Sequence, residues 1–247
     1  MHSCLSFRGL RVSVLMVTGK RTYRIFTYRE AVLRICCDRF DLATAEIVRQ
    51  RGILEGYIGR QPEFKHSFAP VDLPPDVPEI ARRTARAAQL VGVGPMAAVA
   101  GAMAQCAAEA ALRAGATEAI VDNGGDIYLR TVEPVVVGLG TGATGLANRL
   151  AFAIEPHETP VSICSSSGTM GHSTSLGQCD LATVVATDAA LADAAATQAA
   201  NLVRTVDDVD AALERIAAIE GIAGVVIVKD DRIGLAGRLP QLIRSDS

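Results

Sequence analysis

The chain has 247 residues, a formal net charge of -3 and 49% hydrophobic residues, while only 4% of its residues are aromatic and tryptophan is absent. This length is sufficient to bury a large core, and this composition is typical of tight helix–sheet packing by Ala, Val and Leu rather than of an aromatic-rich barrel. The charge excludes a general electrostatic attraction to nucleic acid or to an anionic membrane.

The N-terminal region has no pattern typical of a secretory signal. Its apolar run, Leu10–Val17, is short, is followed by Lys and Arg, and lacks a small-residue cleavage site. The longer apolar segment Val91–Ala116 is interrupted by Gln105 and Glu109, which favours a buried helix over a membrane span. The six cysteines include no CxxC pair, and without an export signal we expect reduced thiols in a cytoplasmic protein. The net charge and the interrupted apolar segment predict no membrane partner.

Residue patterns predict two strands and a helix at the start of the chain. Aromatic and β-branched residues within Arg21–Cys37 are typical of strands, and the spacing of apolar residues predicts a helix at about 43–57. The proline-rich stretch 62–78 predicts a surface connection, which has room for a short strand at about 64–68.

Two helices are predicted next. Pro78 begins a basic amphipathic helix that ends near residue 91, and its arginines predict a solvated face rather than a phosphate grip (Arg82, Arg83 and Arg86). Gly94 and Pro95 suit the N-cap and first position of an Ala-rich helix that Gly115 ends. The free amide groups at the start of that helix predict an anion site, and the alternative is a core helix whose tip only packs.

A glycine pair interrupts the following strand pattern. Apolar residues precede and follow the sequence Asn123-Gly124-Gly125-Asp126. A glycine pair in a strand indicates a bulge or a place where a ligand approaches the backbone. The alternative is a hairpin turn, because Asn-Gly is the strongest short hairpin signal.

The second half of the chain alternates strands and helices. Strands are predicted at 134–139, 150–154, 160–164 and 181–186, then helices at about 189–203 and 206–219, and finally a hairpin of strands 225–229 and 232–235. This order predicts an α+β fold with mixed or antiparallel sheet layers covered by helices, in one domain of residues 1–247.

Asp193 and Thr197 form a candidate metal-ligand pair. Because they are four residues apart on a predicted helix, their side chains share one face. Carboxylate and hydroxyl oxygens are hard ligands that suit Mg²⁺, and a site with so few protein ligands implies a phosphate-bearing partner. The alternative is structural: Asp193 caps the first turn and Thr197 bonds back to a helix carbonyl.

The loop that precedes this helix is rich in hydroxyl groups and glycine. Residues 165–173 can supply amides and hydroxyls to phosphate or ribose oxygens, and His172 can donate to a phosphate or act as a base. Ser173 lies at the serine of a partial G-x-S-x-G elbow, whose fifth residue is Ser175 instead of glycine, so a serine hydrolase is a minor alternative.

Three sequence blocks, taken in order, resemble the ApbE superfamily of FAD:protein FMN transferases, and most closely an uncharacterised branch of it. The blocks are GPMAAVAG at 94–101, NGGDI at 123–127 and ADAAAT at 192–197. The resemblance covers roughly the last two thirds of the chain, and residues 1–78 diverge most.

The resemblance implies a site for FAD and Mg²⁺. It implies that Asp193, Thr197 and the carbonyl of Ala97 hold the metal. The ligand would lie against the residues that match the glycine-rich and serine blocks, namely Gly94, Asn123, Gly124, Gly125, Asp126, Ser166, Ser167 and Gly168. His172 matches the histidine of a further block, and with Ser173 it is the catalytic candidate.

The chain also departs from the family pattern. Ala98 stands where the transferases carry a lysine, and Ser173–Gly177 replaces the Asp-Pro and Thr-Gly of the histidine block. We therefore expect Mg²⁺-dependent binding of a flavin or related nucleotide, with transfer of flavin to an acceptor protein. The alternative is a binding or regulatory module that keeps the pocket without the chemistry.

Overall fold

A computed structural model describes residues 21–139, 150–168 and 177–244 of the chain. In those ranges the helices are α1 (Phe40–Arg60), α2 (Glu63–His66), α3 (Glu79–Val91), α4 (Val99–Arg113), α5 (Ala189–Leu202) and α6 (Val209–Ala217). The strands are β1 (Arg24–Tyr28), β2 (Ala31–Cys37), β3 (Ala119–Asn123), β4 (Asp126–Arg130), β5 (Val135–Gly138), β6 (Leu150–Ile154), β7 (Val161–Ser166), β8 (Leu181–Ala186), β9 (Ile222–Lys229), β10 (Arg232–Gly237) and β11 (Gln241–Arg244).

The strands form two antiparallel sheets. The larger sheet has eight strands in the order β1-β2-β3-β4-β7-β8-β9-β10, and the smaller has the order β11-β6-β5. Two-residue turns join β1 to β2, β3 to β4 and β9 to β10, and the strand pairs of both sheets are antiparallel. The predicted α+β fold with antiparallel layers is therefore confirmed.

The large sheet is covered on both faces. On β9, Val226 and Val228 pack with the small sheet, whereas Val225 and Ile227 pack with the helices. This division follows from the strand period of two, because successive side chains point to opposite faces. Both sets are apolar, so the middle of the sheet is buried between the small sheet and the helical layer.

Small residues bring α4 and α5 into close contact. Most of α5 is alanine, and its alanines from Ala189 to Ala200 are almost fully buried. On α4, a Cβ atom added to Gly101 would lie 2.2 Å from the Ala189 carbonyl oxygen and 2.9 Å from the Asp193 Cβ. Only glycine fits this helix crossing, which places the start of α4 directly against α5.

The structure corrects three predictions of local structure. Residues 64–68 contain no strand; instead α2 buries Phe64, whose ring contacts the Tyr57 ring edge-on at 5.2 Å. The Ala-rich helix begins with a 3₁₀ turn, Pro95–Ala98, before α4 starts at Val99. The strand β11 lies beyond the last predicted element.

An ion pair fixes the start of the described chain. The Arg21 guanidinium donates to both carboxylate oxygens of Glu118 at 2.7 Å, and one of its nitrogens also donates to Thr131 Oγ1 at 2.6 Å. The two side chains are only 7% and 15% exposed. This contact attaches the segment before β1 to the loops that flank β3 and β4.

Within the described ranges, no single helix has the length and apolar character to cross a membrane. Only when two helical segments are taken as one do they have that length and apolar character, and these segments are Glu79–Val91 and Pro95–Arg113. The chain bends by 107° at the break between them.

Candidate functional site

Asp193 lies in the second turn of α5 and points at the start of α4. It is 8% exposed, and its Oδ2 accepts the Gly101 N–H at 2.9 Å. The N-cap of α5 is Asp188, which accepts the Leu191 N–H at 2.9 Å. The interpretation of Asp193 as a helix cap is therefore wrong, and a buried carboxylate on this helix requires another explanation. Thr197 follows one turn later and is half-buried.

Burial controls the charge of Asp193. Burial raises the pKa of its carboxyl from 3.8 to about 7, and the N–H groups of Gly101 and Ala100 oppose this shift by stabilising the carboxylate. These amides belong to the first turn of α4, which the sequence predicts as an anion site. Asp193 itself supplies an anion to that helix end.

The glycine pair forms a hairpin turn and no bulge. Asn123 pairs with Asp126 across β3 and β4, while Gly124 and Gly125 take φ values of 70° and 109°. Positive φ at both central residues is the reason for two glycines in this two-residue turn. Asp122 stabilises the turn by accepting the Gly125 N–H at 2.9 Å.

The hairpin is attached to α4 beside Asp193. Asn123 Nδ2 donates to the Ala100 carbonyl oxygen at 3.1 Å, next to the Gly101 amide that Asp193 accepts. One short segment of α4 thus contacts both the hairpin and α5. The predicted residues Asn123 and Asp193 are brought together although they are far apart in sequence.

Asp126 is a third buried carboxylate, beside Asp122 and Asp193. It is 9% exposed, and burial followed by the charges of Asp193 and Asp122 raises the pKa of its carboxyl well above the usual range. Hydrogen bonding by Cys164 and by the Ser165 N–H partly opposes this rise in pKa, but among the described residues the Asp126 Oδ1 has no hydrogen-bond partner. The site therefore contains three buried acids, Asp122, Asp126 and Asp193, in a water-poor environment.

The serine block lies at the end of β7, which is the strand next to β4. Ser166 is the last residue of β7 and pairs with Ala182. Ser167 Oγ and the Gly168 N–H both donate to the Cys179 carbonyl oxygen, at 3.3 and 2.8 Å. These bonds join Ser167 and Gly168, which follow β7, to Cys179, which precedes β8. His172 and Ser173 lie outside the described residues.

Gly94 is buried beneath another loop. A Cβ atom at this position would lie 1.9 Å from the Ser67 carbonyl oxygen, so the glycine permits a close chain crossing. Ala97 is half-buried in the 3₁₀ turn that follows. Ala98, at the position of the family lysine, is fully buried.

A cavity of about 230 Å³ adjoins the attachment point of the hairpin. Ala100 and Asn123 line it together with apolar residues of β2, α1 and the start of α4, and Tyr28 and Arg51 contribute polar groups. The sequence patterns did not indicate Tyr28 or Arg51, because a lone aromatic residue and a lone helical arginine carry no motif. The first part of the chain thus contributes to the walls of the candidate site.

A second cavity, of about 520 Å³, lies beside α3. Arg82, Arg83 and Arg86 line it, as do the acidic residues Glu79, Asp188 and Glu220. The predicted solvated arginine face is therefore one wall of a cleft whose charges are balanced.

Comparison with known proteins assigns the family. A family model described as AbpE bacteria matches residues 27–234. The chain belongs to this family. Relatives of this AbpE-family chain include the UPF0280 protein of Methanocella arvoryzae, 39% identical over 89% of this chain and 90% of the relative, and a UPF0280 protein of Methanococcus maripaludis, 41% identical over 84% and 85%.

Solved structures share the fold of the AbpE-family chain. The apo form of the flavinyl transferase ApbE of Pseudomonas stutzeri matches with a TM-score of 0.52 and 10% identity, over 91% of this chain and 95% of that one. The flavin transferase ApbE of Vibrio cholerae matches with a TM-score of 0.50 and 13% identity, over 88% and 96%. At these identities the likeness shows the fold, and it confirms the resemblance drawn from the three sequence blocks.

Proposed function

We propose that this protein binds FAD with Mg²⁺ at the Asp193 site and transfers the FMN portion to an acceptor protein. The observation that carries the proposal is the position of Asp193. A buried carboxylate, bonded to the first turn of α4, lies beside the Asn123–Asp126 hairpin in a fold that flavin transferases share. A nucleotide that bears phosphate groups is the ligand class that this acidic, hard-oxygen site implies once a cation is bound.

The donor chemistry of the site fits Mg²⁺. Neighbouring carboxylates are costly to bury as anions, and no hydrogen bond from the described residues compensates the Asp126 Oδ1. Within the described ranges no three His, Cys, Asp or Glu side chains are grouped as a metal site, but Mg²⁺ usually takes one or two protein carboxylates. Asp193, Thr197 and the Ala97 carbonyl are the residues that would hold it, and the bound ion supplies charge neutralisation at the FAD pyrophosphate.

The rest of the site positions the substrate. The cavity of about 230 Å³ offers apolar walls for a flat ring system, next to the Asn123 side chain. In the proposed reaction, an oxygen nucleophile of the acceptor protein attacks the phosphorus of the FMN portion. The bond from that phosphorus to the bridging oxygen breaks, AMP leaves with the bridging oxygen, and the nucleophile's proton passes to solvent or to a base.

A binding module without transfer is the second candidate. The family lysine is replaced here by Ala98, and this position is fully buried, so no charged side chain at this point reaches the ligand. A protein of this kind would bind the flavin nucleotide and release no AMP.

Incubation with FAD, Mg²⁺ and candidate acceptor proteins separates the two. We expect Mg²⁺-dependent release of AMP, measured by chromatography, and loss of that release in Asp193→Asn. Asp188→Asn is the matched control, because it makes the same change at the N-cap of the same helix, outside the candidate site. Saturable FAD binding without AMP release for every acceptor would favour the binding module, and the absence of FAD binding would refute both.

A further inference from the structure

The Asp126 carboxylate has one oxygen to which no group of the described part of the chain donates. Asp126 is 9% exposed, and its Oδ1 has no hydrogen-bond partner within residues 21–139, 150–168 and 177–244. A buried carboxylate oxygen without a partner is costly, since nothing replaces the water it has lost. Such an atom in an otherwise well-bonded hairpin indicates that a further group binds there.

The neighbouring acids are already held by the protein. Asp122 Oδ1 accepts the Gly125 N–H at 2.9 Å, and Asp193 Oδ2 accepts the Gly101 N–H at 2.9 Å. Across residues 21–139, 150–168 and 177–244, the recorded ion pairs include neither Asp126 nor Asp193. The two carboxylates therefore share an environment without a compensating protein cation.

The backbone around Asp126 holds its side chain in place. Asp126 is the first residue of β4, and it is paired with Asn123 on one side and Cys164 on the other. The Cys164 thiol contacts the carbonyl oxygen of Ala189, at the start of the helix that carries Asp193, at 3.6 Å. The hairpin, β7 and α5 thus converge on this point.

We propose that Asp126 is a direct ligand of the divalent cation, which it shares with Asp193, so that the metal joins the hairpin to α5. The inference rests on the proposed function for the presence of the cation. It adds a second carboxylate from the glycine hairpin to the ligand set that the family resemblance implies. The two carboxylate ligands would balance the charge of a 2+ ion, which suits a site buried to this degree.

A proton shared by the two carboxylates is the competing explanation. It would also satisfy the unused oxygen, and in that case Asp126 would need no metal. The two explanations predict different effects of asparagine at position 126 on metal binding. Asparagine reproduces a protonated aspartate, but it removes the negative charge that a cation requires.

Titration calorimetry with Mn²⁺ alone, in the absence of nucleotide, tests the inference. We expect Asp126→Asn to weaken Mn²⁺ binding by at least about tenfold, since even indirect partners of metal ligands are worth about 10–100-fold. Asp210→Asn is the control, because this exposed acid on α6 is paired with Arg232 and its replacement removes one negative charge from another part of the fold. It should keep an affinity close to that of the wild type.

The outcomes distinguish this inference from the proposed function. Unchanged Mn²⁺ affinity in Asp126→Asn, with loss of binding in Asp193→Asn, would overturn the role of Asp126 and leave the metal site standing. A wild-type protein that binds no Mn²⁺ would overturn both. If Asp126→Asn fails to fold, anomalous diffraction from wild-type crystals with Mn²⁺ decides. A peak within bonding distance of Asp126 Oδ1 supports the inference, and a peak bonded to Asp193 alone overturns it.

Discussion

Replacing Gly101 with alanine should force α4 and α5 apart and break the contact that positions Asp193. The added Cβ atom would lie 2.2 Å from the Ala189 carbonyl oxygen and 2.9 Å from the Asp193 Cβ. Both obstacles belong to the body of a buried helix, so neither can rotate away. The helices must separate, and the hydrogen bond from the Gly101 N–H to Asp193 lengthens as they do.

The magnitude follows from three contributions. Overpacking of a tight core costs about 1–3 kcal/mol, and loss of a hydrogen bond to a charged group costs about 1.5–3 kcal/mol. The better helix propensity of alanine offsets about 1 kcal/mol of this destabilisation. The net destabilisation is therefore about 1.5–5 kcal/mol, which lowers the melting temperature by at least about 3 °C in a protein of this size.

Gly52→Ala is the matched control. Gly52 lies inside α1, it is exposed, and a Cβ atom there would meet nothing within 4 Å. The same substitution should therefore stabilise the protein by up to about 1 kcal/mol. Thermal unfolding followed by circular dichroism measures both variants. A melting temperature of Gly101→Ala at or above that of the wild type would refute the close crossing of α4 and α5.

Three further predictions concern charge and attachment. Because the folded protein raises the pKa of Asp193 from 3.8 to about 7, its contribution to stability is present below about pH 4 and lost as the pH rises towards 7. The free energy of unfolding of the metal-free wild type, relative to Asp193→Asn, should fall across that range in urea titrations. Arg21→Ala leaves the mostly buried Glu118 without its cation and should cost about 2–4 kcal/mol, whereas Arg82→Ala, in an exposed pair, should cost under about 1 kcal/mol. Asn123→Ala releases the hairpin from α4 and should weaken flavin binding by about tenfold, the value of one hydrogen bond of about 1.4 kcal/mol, in fluorescence titrations.

Each of these predictions has a contradicting result. A constant difference between the wild type and Asp193→Asn from pH 4 to 7 would show that Asp193 is not buried as a costly anion. Equal losses of stability in Arg21→Ala and Arg82→Ala would contradict the burial of the Arg21–Glu118 pair. Unchanged flavin affinity in Asn123→Ala would remove the hairpin from the site.

Sequence patterns predicted most of the helices and strands, because the spacing of apolar residues that defines them extends over only a few residues. The period of two along β9 and the helical spacing in α1 both reflect which side chains face the core. Residues 64–68 show the limit: Phe64 suits a strand by propensity, but it lies in a helical turn and packs edge-on against the Tyr57 ring. The Asn123-Gly124 sequence is compatible with both a bulge and a hairpin turn, and the pairing of β3 with β4 decides between them.

The site was predictable in part. The spacing of Asp193 and Thr197 placed both on one helix, and the family resemblance connected them with the glycine hairpin. The contact of Asp193 with Gly101, and its proximity to Asp126, depend on how α4, α5 and β4 pack. No short motif encodes such long-range contacts. The roles of His172 and Ser173, the single domain and the cytoplasmic location stay predictions.

The most direct test of the central claim is a titration of the protein with FAD, followed by flavin fluorescence, in the presence and absence of Mg²⁺. The account predicts saturable binding that requires Mg²⁺ in the wild type and is lost in Asp193→Asn. Binding that is equally tight without Mg²⁺ or in the variant, or no saturable binding at all, would contradict it.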